Sequence, residues 1–261
     1  MLRTRLAGSA LLLVLSGLAL RAADPHKSAG VNVAAVGVLA PSGKVLFLPG
    51  DSHVEAVAVF NGKPLWTSED ATRPLLATAD HVFAQARVKG KRNQVKVVIL
   101  DATTGERVRE SETITFPDWV SVQPDYGLRF RSAARLDKDG FLFIWEARTF
   151  RDGGPPPPEF GPDGKPYVDP NAKQAGGAVR VDAATGRVST VKDYKPKDTD
   201  FPSELGTKTT ANGWVFRVEQ VPTDTGKPYA LLPRRLVAER EDGKGSWKRP
   251  IDSEVNLPPR P

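Results

Sequence analysis

The amino-acid sequence predicts an all-β protein: about four four-stranded antiparallel units, stacked as the blades of a β-propeller and either closed into a small ring or left as an arc. Three observations predict it. Leu100-Asp101-Ala102-Thr103-Thr104-Gly105 and Val181-Asp182-Ala183-Ala184-Thr185-Gly186 are near copies of one turn, each preceded by a run that reads as a strand. Beyond the first 23 residues no segment sustains a helical apolar period; short β-rich runs alternate with Gly, Asn, Asp and Pro. The runs fall into four groups, and a four-stranded unit recurring every ~40–60 residues is the pattern of propeller blades.

Residues 1–23 read as a secretory signal. Arg3 and Arg5 form a basic start, residues 10–20 an apolar core, and Ala22-Ala23 the small residues of a cleavage site. The core falls short of the ~20 apolar residues that span a bilayer. An uncleaved N-terminal anchor is the alternative, because Leu20 or Arg21 stands three residues before the cut. No second apolar stretch of spanning length follows, so the mature chain is expected to have no transmembrane segment and to be secreted or periplasmic. Residues 24–30 form a linker, the repeat domain covers 31–252, and 253–261 is a tail.

Within the domain, the first group holds strands at 32–39, 44–48, 55–60 and 64–67, and Asn61-Gly62 is its two-residue hairpin turn. The second holds 75–79, 82–88, 94–100 and 107–110, and ends in the Asp101–Gly105 turn. The third holds 129–136, 141–149, 178–181 and 188–193, with the turn at Asp182–Gly186. In both turns Asp is placed to bond backbone N–H groups, and Gly supplies the left-handed residue that closes a bulge. The fourth holds 207–210, 214–220, 231–239 and 246–250, with Asp242-Gly243 at its last turn. A proline-rich stretch, 153–175, lengthens the third group; proline supplies no ladder donor, so it reads as an insertion.

Charge and composition narrow the function. The chain has 37 basic and 31 acidic residues, and removing the three arginines of 1–23 leaves 34 against 31, a net charge of +3. Spread over the mature chain, that is too weak a field for nucleic acid. The dense run Lys89-Gly90-Lys91-Arg92-Asn93 lies between two strands and reads as a solvated hairpin loop. Cysteine is absent, which removes a lipoprotein anchor, a thiolate nucleophile and Cys-ligated metals, and leaves the core to stabilise the fold.

The Asp-x-x-Thr-Gly turns resemble those of quinoprotein-type β-propellers, the pyrroloquinoline-quinone-like repeat. Each blade of that family ends in a strand, an Asp-Ala-x-Thr-Gly turn, and a Trp four residues after the Gly. The turn is clear in groups two and three; the Trp is present in groups one and four, as Trp66 after Gly62 and Trp247 after Gly243. Arg109 and Thr190 stand at that place in the other two. The resemblance implies that Trp66 and Trp247 pack neighbouring blades together. Dehydrogenases of the family are about twice as long and hold their quinone over a calcium ion. No residue set here matches those ligands, so no cofactor is assigned.

Other chemistry has little footing. Asp137-Lys138-Asp139-Gly140 opens like a calcium loop, but Phe141 and Arg148 stand where further oxygen ligands belong, so a hairpin turn is expected. His26, His53 and His81 have no metal-ligand spacing, and no Gly-x-Ser-x-Gly elbow occurs. Trp145 lies in 141–145, a run that reads as buried on both faces. Trp119 stands after Pro117-Asp118, where an exposed aromatic anchor for a partner fits. In the insertion, Pro155–Pro158 favours an extended segment with Phe160 and Tyr167 as anchors; a tolerated insertion without function is the plainer reading. The expected function is an exported, non-catalytic interaction or scaffold module with a protein partner in the cell envelope. The alternative is a quinoprotein-like oxidoreductase or a carbohydrate-active propeller enzyme.

Overall fold

The computed structural model describes residues 29–33, 36–50, 52–123, 127–138, 140–149, 172–202, 208–221 and 234–251. They form four antiparallel sheets, and no α-helix occurs among them. The first sheet holds β1 (Val31–Val33), β2 (Gly37–Leu39), β3 (Val45–Pro49), β4 (Val54–Ala58) and β5 (Pro64–Ser68). The second holds β6 (Arg73–Ala77), β7 (His81–Arg87), β8 (Gln94–Asp101), β9 (Arg107–Glu110) and β10 (Ile114–Thr115). The third holds β11 (Leu128–Asp137), β12 (Gly140–Thr149), β13 (Gln174–Asp182) and β14 (Val188–Val191). The fourth holds β15 (Thr209–Ala211), β16 (Trp214–Gln220), β17 (Arg234–Arg240) and β18 (Ser246–Ile251). Strands pair in sequence order within the first, third and fourth sheets, as an up-and-down blade requires; in the second, β8 carries both β9 and β10.

The four predicted groups are the four sheets, with local differences; β10, a fifth strand of the second sheet, is covered by no predicted run, and the predicted strand 55–60 ends at Ala58. The first predicted strand, 32–39, is the hairpin β1–β2. The predicted two-residue turn at Asn61-Gly62 is a four-residue connection: Ala58 and Lys63 close it, the Ala58 N–H donating to the Lys63 carbonyl at 2.8 Å, and only Gly62 has positive φ. β13 begins at Gln174, so the last two residues assigned to the insertion are strand. Gly176 and Gly177 fit there because Pro196 lies over the first and the Trp145 ring over the second.

Sheet order in space is fourth, first, second, third: β15 meets β1, β6 meets β2, β3 and β1, and β11 meets β6. Three packed joints hold this arc. Leu46, Leu39 and Val57 meet Phe216 and Leu236 between the first and fourth sheets. Phe47, Val38 and Val54 meet Val82 and Leu100 between the first and second. Phe83, Val97 and Phe116 meet Phe141 and Phe143 between the second and third. Strand β3 therefore buries both faces, which is why it reads as an unbroken apolar run. Likewise Phe141 and Phe143 face the second sheet, whereas Leu142 and Ile144 face the opposite way, under Phe201.

Among the described residues no hydrophobic cluster joins the third sheet to the fourth. The fourth sheet alternates accordingly. Trp214, Phe216, Leu236 and Ala238 pack toward the first sheet. Its other face carries Arg217, held by Glu239 through two hydrogen bonds of 2.6 and 2.9 Å, with Glu219 and Arg235 alongside.

The repeated turns owe their shape to Asp101 and Asp182. Asp101 Oδ1 accepts the N–H groups of Thr103 and Thr104, each at 2.8 Å, and Gly105 closes the turn at φ +75°. Hydrogen bonds from the Thr104 and Thr103 amides hold the Asp101 carboxyl below its ordinary 3.8. A group whose folded pKa is depressed contributes stability that is present above the unfolded value and lost as pH falls through the folded one. Asp101→Ala is therefore expected to destabilise the chain at neutral pH, and the gap to wild type should narrow on acidification below pH 3.8. Urea unfolding at several pH values checks this; a gap constant down to strong acid would contradict it.

Candidate functional site

Trp66 and Trp247 serve the scaffold, in the same way. The Trp66 Nε1–H donates to the carbonyl of Ala102, the second residue of the next sheet's turn, at 3.1 Å. The Trp247 Nε1–H donates to the carbonyl of Val59, the equivalent residue of the first sheet's turn, at 2.6 Å. Each indole then lies on the following glycine: a β-carbon on Gly62 would stand 2.8 Å from Trp247 Cδ2, and one on Gly105 would overlap the Trp66 ring.

Arg109 takes the tryptophan position in the second sheet, and that joint is made differently. The outer strand breaks between β9 and β10, and Ser111 fills the ladder by accepting the Val97 N–H at 2.9 Å. Glu112 is then able to reach the third sheet's turn: its N–H donates to the Gly186 carbonyl at 2.8 Å and its carboxylate accepts the Val188 N–H at 2.9 Å. At Gly243, in the fourth sheet's turn, a β-carbon would meet no described atom within 4 Å, and no indole of the described residues docks on it.

Of the sequence-predicted binding residues, Trp119 sits in the turn where the Val120 N–H donates to the Pro117 carbonyl at 2.9 Å. Its ring is half-buried against the aromatic core of the second and third sheets. Phe160 and Tyr167 lie outside the described residues. Trp145 is half-buried and not fully enclosed, because it ends the joint, 4.8 Å from Phe116 ring to ring. The Asp137 turn is the β11–β12 hairpin, and the Asp137 carboxylate is taken by Arg180.

The structure instead brings together a group that no sequence motif marks. On the third sheet's face turned away from the second, Arg129, Arg148 and Gln174 lie in register across β11, β12 and β13. The next row on that face is Arg131, Glu146 and Gly176. A segment from Tyr194 to Pro202 crosses the same face: Pro196 rests on Gly176, the Tyr194 hydroxyl bonds Asp200 at 3.0 Å, and Phe201 is buried over Ala133 and Ile144. Between this segment and the two polar rows is a depression of about 920 Å³.

Its electrostatics are uneven. Arg131 donates to Glu146 at 2.8 Å and to Asp198 at 2.5 Å, and its guanidinium carbon is 4.2 Å from the centre of the Phe201 ring. Burial works against the Arg131 charge, but the bonds to Asp198 and Glu146 outweigh it and raise its pKa. The Arg131 hydrogen bond in turn lowers the pKa of Asp198. Arg129 is shifted the other way: burial first, then the neighbouring Arg131 charge, lower its pKa; Glu146 and Asp198 oppose the shift, and Arg148 adds a smaller push in the same direction as Arg131. Residues directly opposite on an antiparallel pair have β-carbons about 4.5–5.5 Å apart, and like charges there repel. Both ends of the long β12–β13 connection open at this rim, where the Lys173 N–H donates to Thr149 Oγ1 at 2.8 Å.

The arrangement is a rigid, cationic recess able to bind an anionic group. A second depression, about 890 Å³, lies between the turns of the second and third sheets, with His81, Asp80 and Lys138 among its walls. The sequence signal for the first recess is a strand alternation, Arg129-x-Arg131 facing Glu146-x-Arg148, which points charges and apolar residues to opposite faces.

No protein-family model and no curated protein matches this chain. Five solved chains match it in structure, among them an ACO/RPE65 chimera, at 10% sequence identity and a TM-score of 0.29. That match covers 79% of this chain and 46% of the chimera, so the chain spans about half its length.

Proposed function

We propose that the chain is an exported, non-catalytic binding module of the cell envelope, built from degenerate quinoprotein-like blades, whose contact with a protein partner is the arginine recess of the third sheet. The recess carries this reading. Rigid strands place Arg129 and Arg148 in register, and the Phe201 segment walls them in, leaving space of about 920 Å³ beside them. Loops and recesses on a rigid scaffold are where such proteins hold their partners. The indole-on-glycine docking of Trp66 and Trp247 supports kinship with the repeat family. The apolar start of residues 1–23 supports export.

The test is affinity capture from a cell-envelope extract after mild cross-linking, with the mature chain from Asp24 as bait. One dominant partner is expected, and Arg129→Gln with Arg148→Gln should remove it. Deleting 153–171 tests whether the insertion with Phe160 and Tyr167 shares the contact. Capture unchanged by the arginine pair would place the contact elsewhere, and the absence of a partner would end the module reading.

A further inference from the structure

We propose that the turn between β7 and β8, with Trp119 beside it, rests on an anionic phospholipid bilayer as a peripheral contact. This surface is separate from the arginine recess and does not depend on it. No acidic residue stands between Asp80 and Asp101, whereas Arg87, Lys89, Lys91, Arg92 and Lys96 do. Lys96 is paired with Glu110 at 2.6 Å, and Arg92 has a partner of its own. Arg87, Lys89 and Lys91 are exposed, and none of them makes an ion pair or a side-chain hydrogen bond among the described residues. The backbone makes this turn a tip. The Lys91 N–H donates to the Val88 carbonyl at 3.0 Å, and Gly90, between the two lysines, has φ +73°. A β-carbon on Gly90 would meet no described atom within 4 Å.

The 116–122 loop is tied to the base of this tip. The Phe116 N–H donates to the Asn93 carbonyl and the Asn93 Nδ2–H to the Phe116 carbonyl, each at 2.9 Å, and the Val122 N–H donates to the Arg92 carbonyl at 2.8 Å. Trp119 is therefore held next to the cations, its body packed on the aromatic core and its indole N–H without an acceptor among the described residues. Asp118 is the acidic residue of the loop; it is exposed and takes the Asn93 amide at 3.3 Å. Shape and chemistry together favour a lipid surface. A protein partner needs about 800 Å² of matched contour on each side. A single-stranded nucleic acid or a chain of sugar acids needs a groove to follow, and a convex turn offers none. A bilayer is flat and receives a projecting tip, and lysine stems bring their ammonium groups to its phosphates. Tryptophan, apolar in body and polar at its N–H, suits the depth of the headgroups. Each basic residue near an anionic surface strengthens binding about fivefold, so three supply roughly a hundredfold.

The experiment is sedimentation of the mature chain at low salt with vesicles of phosphatidylcholine, alone or mixed equally with phosphatidylglycerol. The mixed vesicles should carry the chain down and the plain ones should not, and added salt should release it. Lys89→Gln with Lys91→Gln should weaken binding roughly 25-fold. Both side chains are exposed, so this pair should melt with wild type and a loss of binding is not a loss of fold. Mixed vesicles with brominated acyl chains should quench part of the tryptophan fluorescence, and Trp119→Phe should remove that part. Equal binding to both vesicle types, binding indifferent to the lysine pair, or quenching that survives Trp119→Phe would overturn the assignment. Glycerol phosphate supplies the headgroup chemistry without a bilayer. At matched ionic strength it should leave the chain on the vesicles; release would mean a phosphate pocket in place of a membrane contact. Lysine-dependent binding to tetragalacturonate or a thymidine oligonucleotide, tighter than to mixed vesicles, would overturn the bilayer as partner.

Discussion

Gly105→Ala is expected to destabilise the chain by about 2–5 kcal/mol, and Gly243→Ala by only about 1–2 kcal/mol. The two glycines have almost the same backbone, φ +75° and +73°, so an alanine meets the same left-handed penalty at each, about 1–2 kcal/mol. Their surroundings differ. A methyl on Gly105 enters the ring of Trp66, whereas one on Gly243 meets no described atom within 4 Å. The overlap adds about 1–3 kcal/mol, because the indole is fixed on its far side by the bond to Ala102 and cannot retreat without giving up that bond. Urea denaturation of both variants reads the difference directly. Trp66→Ala in the Gly105→Ala background should then cost less than in wild type, the coupling expected of residues in contact. Equal losses at the two glycines would mean that the indole contributes nothing to the joint.

That contrast also marks what can be read from sequence. Periodicity of two and turn chemistry locate all four sheets, because each carries its own local signal: apolar alternation along the strands, and Asp or Asn with Gly at the turn. The indole positions are legible for the same reason, since a fixed offset from the glycine puts Trp66 and Trp247 on outer strands. Joint two-to-three is not legible. Glu112 makes it from a break in the outer strand, and its partners Gly186 and Val188 lie more than 70 residues away. Nothing in the vicinity of Glu112 indicates that reach. The recess escapes sequence reading for a related reason. Arg129, Arg148 and Gln174 come together only through the register of β11, β12 and β13, and the long β12–β13 connection hides the closeness of Thr149 and Lys173. Phe201 lies between the third and fourth predicted groups, outside any predicted strand, yet it is the wall of the site. Trp119, read from the sequence as an exposed anchor, proves to be half-buried against the second and third sheets, whereas Trp66 and Trp247 join neighbouring sheets as expected.

Phe141→Ala should be the most damaging single truncation, costing about 3–5 kcal/mol. Phe141 is wholly buried and its ring centre lies 4.7 Å from that of Phe83 in the second sheet. Tilted aromatic pairs of this kind contribute beyond the area they bury. The position is more critical than an equal burial in the other two joints. There, an indole on a glycine turn adds a second attachment at the outer edge. Between the second and third sheets the outer attachment among the described residues is the Glu112 clasp, partly open to solvent, so the aromatic core carries more of the joint. A cavity at Phe141 therefore loosens the third sheet from the rest of the arc. Unfolding followed by Trp145, which lies in that sheet, should precede unfolding followed by the sheets as a whole in far-ultraviolet circular dichroism, breaking two-state behaviour. Val108→Ala, on an outer strand and 52% exposed, should stay within about 0.5 kcal/mol of wild type with coincident transitions. If Phe141→Ala also unfolds in one coincident step, the third sheet is held by more than this joint. The segment carrying Tyr194 and Phe201 across its far face would then be the element to truncate next.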